Sequence, residues 1–248
     1  MLVLCFIRNQ VINLKKWLTG IVLWCGILLT SCGMRGDELQ ENPSMESERV
    51  IEETIAETNL KLDLSSCIIQ VQTDTQLGSG TLWEKHESEW IVVTAAHVVE
   101  GMQEAEVYLV QEEKFLQAKV TEVNGLDLAF LSVSTSSLDE KTEEKYQPVI
   151  TTRDSLEEKA GVITTGYNSY GELCEFPGTV IDDWIYVEDF DNYMLLCDCG
   201  AEAGMSGGAV VTEEGKLVGL VCGENAKGLL AVLPVGVIKS EYQLFQKN

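Results

Sequence analysis

The sequence predicts an all-β fold: two packed, six-stranded antiparallel β-barrels followed by a short C-terminal helix. Three observations carry this. From Leu64 onward, short apolar or alternating runs recur at the spacing of strands in an all-β domain. Turn-forming residues separate them, as at His86-Glu87-Ser88-Glu89, Asn124-Gly125, Asn168-Ser169-Tyr170-Gly171 and Glu213-Glu214-Gly215. A polar, charged stretch from Ser134 to Lys159, with Pro148 inside it, then divides the runs into two sets of about six.

The first set, over residues 64–133, comprises Cys67 to Gln72, Gly80 to Glu84, Trp90 to Thr94, Glu106 to Val110, Phe115 to Val123 and Leu128 to Val133. Residues 134–160 form the connector. The second set, over 161–234, comprises Gly161 to Gly166, Leu173 to Ile181, Trp184 to Val187, Tyr193 to Asp198, Gly208 to Thr212, Lys216 to Cys222 and Leu229 to Leu233. Residues 235–245 place Val237, Ile238, Tyr242 and Phe245 at helical spacing, which predicts a helix packed on the second barrel.

The region before residue 64 has a different character. Residues 1–31 carry Arg8, Lys15 and Lys16, no acid, and an apolar run from Trp17 to Leu29 that is short for a spanning helix. This is the pattern of a secretory signal. Its end, Leu29-Thr30-Ser31-Cys32-Gly33, resembles the bacterial lipobox, which implies cleavage before Cys32 and a lipid anchor on that residue. An uncleaved signal anchor and a plain secretory signal are the alternatives. Residues 32–63 are rich in acidic and small polar side chains and read as a disordered spacer, with a short helix over 47–62 as a minor expectation. A spacer of this kind lifts a domain clear of lipid headgroups.

Charge and cysteines narrow the function classes. The 248 residues include 17 basic and 40 acidic side chains, a formal net charge of −23. No basic cluster lies outside the N-terminal segment, so nucleic acid is not an expected partner. The eight cysteines show no C-x-x-C pair, and with only two histidines, His86 and His97, neither a metal site nor a cofactor is predicted.

Three short motifs carry the chemistry. Gly204-Met205-Ser206-Gly207-Gly208-Ala209-Val210 is a small-residue turn entering an apolar strand, and it raises one hydroxyl. His97 lies in Thr94-Ala95-Ala96-His97-Val98-Val99, and Asp127 opens Asp127-Leu128-Ala129-Phe130-Leu131. A serine nucleophile requires a histidine base and a carboxylate to orient it. The turn also fits the G-x-S-x-G elbow of α/β-hydrolases, but there the histidine follows the serine, and none follows Ser206. The subtilisin order, with the acid before the histidine, finds no suitable acidic motif upstream of His97.

With these motifs in the order His, Asp, Ser, the chain resembles the chymotrypsin-fold, trypsin-like serine peptidases, and within them the bacterial HtrA/Deg-like branch. The resemblance covers roughly the last two-thirds of the chain and implies the two barrels. It implies a serine endopeptidase with His97 as base, Asp127 as orienter, Ser206 as nucleophile, and the N–H groups of Gly204 and Ser206 as the oxyanion hole. A protein or peptide would be the substrate, and the enzyme would be exported and membrane-anchored. The chain ends after the predicted helix, so the PDZ domain of many HtrA-like proteins is not expected. A catalytically silent peptide-binding module and an esterase of the same fold are the competing readings.

Met205 stands where digestive trypsin-like enzymes carry an Asp that pairs with a freed amino terminus. A thioether cannot form that ion pair, so activation by a new N-terminus is not expected. Gly200, Ala201 and Ala203 before the nucleophile, with Leu220 and Cys222 on the strand after it, are the expected specificity-pocket residues. Glu202 is the one nearby acid, and the pocket's other residues imply small or medium apolar side chains at the cleavage point. A disulfide from Cys197 or Cys199 to Cys222 and buried free thiols are equally open expectations.

Overall fold

The computed structural model describes residues 63–152 and 156–247. The expected signal segment, Cys32, and the expected spacer up to residue 62 with its helix lie outside the described residues. The described residues belong to one compact unit, which spans Thr54–Asn248.

Twelve strands form two closed barrels. The first contains β1 (Ile68–Gln72), β2 (Leu77–Lys85), β3 (Glu89–Thr94), β4 (Glu104–Leu109), β5 (Lys114–Glu122) and β6 (Ala129–Ser134), in the spatial order β1-β2-β3-β6-β5-β4. The second contains β7 (Gly161–Tyr167), β8 (Leu173–Val187), β9 (Asn192–Cys197), β10 (Ala209–Thr212), β11 (Leu217–Glu224) and β12 (Leu230–Pro234), in the order β7-β8-β9-β12-β11-β10. The two orders are the same pattern, so the barrels repeat one topology. All neighbouring strands are antiparallel, and closure by β1–β4 and β7–β10 leaves no free sheet edge.

The sequence pattern of each strand follows from what its two faces touch. β4 and β5 alternate buried and exposed residues, as expected of strands with one wet face. β3 is apolar from Trp90 to Val93 because both its faces are buried there. Trp90 and Val92 enter the core of the first barrel, while Ile91 and Val93 enter a cluster between the barrels. β6 divides likewise, with Leu131 and Val133 inward and Phe130 in the shared cluster. From the second barrel, Leu196 of β9, Leu220 and Cys222 of β11, and Leu233 of β12 complete this seam, while Val221 and Val232 fill that barrel's interior.

Two departures from the sequence-based expectation have physical causes. The runs Leu173 to Ile181 and Trp184 to Val187 are one strand, β8, whose pairing with β9 shifts register between Val180 and Asp182 and again between Asp182 and Ile185. Bulges of this kind let one strand bend around a barrel while interrupting its alternation. The connector is not simply solvated. A short helix α1 (Glu140–Lys145), capped by the Asp139 carboxylate on the Thr142 N–H, leads to Tyr146, which is buried against Trp90 at a ring separation of 5.4 Å. The C-terminal helix α2 (Val235–Phe245) packs on β11 and β12 of the second barrel, as expected, and its apolar face also reaches across the seam. Tyr242 lies 5.8 Å from the Trp83 ring and 5.6 Å from that of Phe130, both on the first barrel.

Candidate active site

β3 and β6 are antiparallel neighbours whose pairing ends at Thr94 opposite Ala129. The chain therefore leaves β3 and enters β6 at the same end of the first barrel. A one-turn 3-10 helix, Ala96–Val98, follows β3 and presents His97; Asp127 lies just before β6. The two side chains meet there. Nδ1 of His97 is 2.9 Å from Oδ2 and 3.0 Å from Oδ1 of Asp127, and the His97 backbone N–H donates to Oδ1 at 3.0 Å. Because an ionised carboxylate only accepts, Nδ1 carries the proton and Nε2 holds the free lone pair.

The electrostatics agree with this geometry. The hydrogen bond to Asp127 raises the His97 pKa above the ordinary 6.5, reinforced by the charges of Asp127 and Glu100 and opposed by partial burial. Burial alone would raise the Asp127 carboxyl. The hydrogen bond and charge of His97, its backbone N–H, and the Cys222 thiol outweigh burial and hold that carboxyl below the ordinary carboxylate range. Beside the pair is a cleft of about 440 Å³ lined by His97, Glu100, Glu122, Leu126, Asp127 and Phe190. His86 sits apart, exposed in the turn between β2 and β3, where its N–H bonds to the Glu89 carbonyl.

Ser206 comes from the second barrel, in the turn before β10. Its backbone is fixed from several sides. Its carbonyl accepts the Ser79 N–H at 2.7 Å, the next residue's N–H, that of Gly207, donates to Val221 O at 2.8 Å, and the Gly208 N–H closes the turn on Met205 O at 2.9 Å. Gly78 of β2 lies against both the serine and the His97 turn. A β-carbon there would lie 2.6 Å from Val98 and 3.1 Å from the Ser206 carbonyl oxygen. The structure brings His97 and Asp127 into direct contact and holds the Ser206 turn against the end of β3, where a β-carbon on Gly207 would lie 3.0 Å from the Ala95 nitrogen. Among the described residues the Ser206 hydroxyl makes no hydrogen bond to His97, a bond that in unliganded sites is commonly long and tightens with substrate.

Two peptide planes are set by their carbonyls. Ala203 O accepts the Ser169 N–H at 2.7 Å, and Met205 O accepts that of Gly208. In a trans peptide the N–H points opposite the C=O, so the N–H groups of Gly204 and Ser206 are turned away from those partners. Gly204 adopts φ +100°, and a β-carbon on it would come within 2.8 Å of Asn168 and Ser169. Gly207, at φ +83°, passes so close to β2 that a β-carbon would meet Ser79 O at 2.1 Å. Neither position accepts another residue without moving its neighbours.

A model of the trypsin-like peptidase domain matches residues 78–220. The chain belongs to the trypsin-like peptidase domain family. No curated protein gives a significant match. Among solved structures, this trypsin-like peptidase domain is similar to the inactive form of the Rv3671c protease (TM-score 0.58, 20% identity, 83% of this chain and 96% of that one). An inactive serine-to-alanine variant of Rv3671c from M. tuberculosis H37Rv gives a TM-score of 0.60 at 19% identity, over 86% of this chain and 97% of that one. The serine endoprotease of Yersinia pestis gives 0.61 at 16% identity, over 77% and 67%. At these identities the likeness is one of fold.

The remaining predicted positions of the trypsin-like peptidase are placed as follows. Gly200 and Ala203 are exposed and Ala201 half-buried ahead of the turn. Leu220 and Cys222 turn into the seam between the barrels, and the Cys222 thiol faces the Asp127 carbonyl at 3.9 Å. Glu202 bends back to accept from the Asn168 side-chain amide at 2.9 Å. Met205 is wholly buried, and its sulfur receives the Glu202 N–H at 3.2 Å. All five described cysteines are thiols. Cys197 ends β9, with Cys199 two residues beyond it; Cys222 lies on β11, and β12 runs between the two strands. Two strand spacings are about 9.5 Å, beyond the ~7 Å that a disulfide bridges. Among the described residues no three His, Cys, Asp or Glu side chains converge as a metal site.

Two residues at the site, Ser79 and Asn168, were not singled out by the sequence. Asn168 is buried, and its Oδ1 accepts the N–H groups of Tyr170 and Glu172, shaping the loop that holds Ala203. Its only sequence signal is the turn-forming run in which it stands.

Proposed function

We propose that this protein is a serine endopeptidase that cleaves polypeptides through an acyl-enzyme. The observation that carries the reading is the bidentate hold of Asp127 on His97 Nδ1, which leaves Nε2 as the only ring nitrogen able to take a proton. Ser206 Oγ attacks the scissile carbonyl carbon as its proton passes to Nε2. The carbonyl π electrons move to oxygen, which the Gly204 and Ser206 N–H groups receive. One such donor accounts for about 10²–10³ in rate. The His97 imidazolium then gives its proton to the departing amine, and the C–N bond breaks. Water repeats the sequence on the acyl-enzyme and restores Ser206.

The apolar and backbone character of the segment from Gly200 to Ala203 supports a preference for small or medium apolar side chains at the cleavage point, since Glu202 is engaged by Asn168. The signal pattern and the lipobox-like run ending at Cys32 support export and a lipid anchor on the outer face of a bacterial membrane. Loss of fatty-acid incorporation in Cys32→Ser would accompany such an anchor, and unchanged incorporation would refute it.

One observation favours the second reading, a catalytically silent peptide-binding module: the unmade bond between Ser206 and His97. Fluorophosphonate labelling separates the two. The proposed enzyme is labelled at Ser206, Ser206→Ala is not, and a peptide library is cleaved after small apolar residues. Folded protein that neither labels nor cleaves is the silent module, and selective cleavage after Lys or Arg would overturn the specificity.

A further inference from the structure

Ser79 lies on β2 of the first barrel, wholly buried, with every polar atom engaged. Its hydroxyl donates to Gly204 O at 2.9 Å, with Tyr167 O more distant at 3.3 Å, and accepts the Tyr167 N–H at 2.8 Å. Its N–H donates to Ser206 O at 2.7 Å, and its carbonyl accepts from Thr94 Oγ1 at 2.7 Å. One residue of the first barrel therefore grips the carbonyls on both sides of Met205. Through Thr94 it also joins them to the strand that delivers His97.

We infer that Ser79 is a positioning residue for the oxyanion hole. This rests on the endopeptidase reading above. The Gly204 N–H belongs to the peptide before that residue and the Gly204 carbonyl to the peptide after it. Ser169 fixes the first plane through Ala203 O, and the Ser79 hydroxyl fixes the second. With both planes held, Gly204 keeps its positive φ and its N–H stays aimed beside that of Ser206. The Ser79 hydroxyl also holds Tyr167, next to the loop that supplies Ser169, so the two restraints share one anchor. Without the hydroxyl, the Gly204–Met205 peptide loses the restraint that distinguishes this orientation from a rotated one. Burial explains why serine suits the place: a larger polar residue has no room, and alanine leaves a buried carbonyl and a buried N–H unpaired.

The test compares Ser79→Ala with the unaltered protein. The expected result is a fall in kcat of about 10–100-fold with KM within about threefold, smaller than deletion of a donor itself because the donors remain. A peptide aldehyde, whose adduct with Ser206 places an oxyanion in the hole, should weaken by the same factor as kcat/KM. The matching peptide alcohol, which places no charge there, should bind as before. Equal weakening of both inhibitors, or kcat per folded molecule within about twofold of the original, would overturn the inference. If Ser79→Ala does not fold, Ser79→Gly, which also removes the hydroxyl and adds no volume, is expected to move the same ratios in the same direction. An unaltered protein that neither labels with fluorophosphonate nor cleaves peptides would instead count against the endopeptidase reading itself.

Discussion

His97 and Asp127 form the one contact at the site where the direction of proton movement is written in the geometry. A base must be neutral to accept a proton, so kcat/KM should rise with pH to a plateau, with its midpoint above the ordinary histidine value of 6.5. Asp127→Asn removes the largest cause of that rise and offers the wrong hydrogen-bonding partner to Nδ1. The expected outcome is a midpoint shifted downward and kcat lower by about 10⁴-fold, read from a pH–rate profile. The pair also links stability to pH with opposite signs. The raised His97 pKa contributes stability that is complete below about 6.5 and is lost as pH rises through the higher folded value. The lowered Asp127 pKa contributes stability present above the ordinary 3.8 and lost as pH falls through the depressed folded value. At this scale the pairing of His97 with Asp127 was legible because each stands in a short motif at the end of an apolar strand, and the role of Ser206 beside them belongs to the proposal above. Ser79 was not legible, since a serine between two glycines in a strand looks like any small residue until the partner barrel is in place.

The elements were legible to the extent that their faces differ. Strands with a wet face announced themselves by alternation, and β3 and β6 by the apolar runs Trp90 to Val93 and Leu128 to Leu131. The bend in β8 was hidden because its bulges break the period that identifies a strand. The packing of α2 on the second barrel was legible, but its reach to Trp83 and Phe130 of the first was not, because spacing defines which face is buried and not every element that face meets. Ile238 is wholly buried in the seam, so Ile238→Ala should lower unfolding free energy by about 2–5 kcal/mol in a denaturant titration. Leu244, on the same helix but 53% exposed, serves as the control, and Leu244→Ala should change stability by less than about 0.5 kcal/mol. Equal effects of the two would mean that α2 does not bury the face described.

For the whole molecule, the readiness of the nucleophile turn is the issue. Met205 is wholly buried, and its sulfur already accepts the Glu202 N–H; a thioether offers no charge to pair with an incoming amino terminus. The chain extended upstream of residue 63 should match a fragment beginning near residue 60 in kcat/KM, within about threefold. Activity that appears only after cleavage near residue 64 would contradict this. The two-barrel architecture was legible as two sets of strands split by a polar connector. The seam was not, because residues from β3, β6, β9, β11 and β12 converge there from far apart in the chain.

The repeated topology gives this seam a further meaning. Each barrel is a complete, closed body, yet His97 and Asp127 come from one and Ser206 and Gly204 from the other. Under the endopeptidase proposal neither half would be a reduced version of the enzyme; each would be inert alone. Rate then becomes a gauge of how the two bodies are aligned, because a displacement of about 1 Å between reacting groups can lower it roughly 10²-fold. Whatever presses on the back of either barrel can alter turnover without approaching His97 or Ser206.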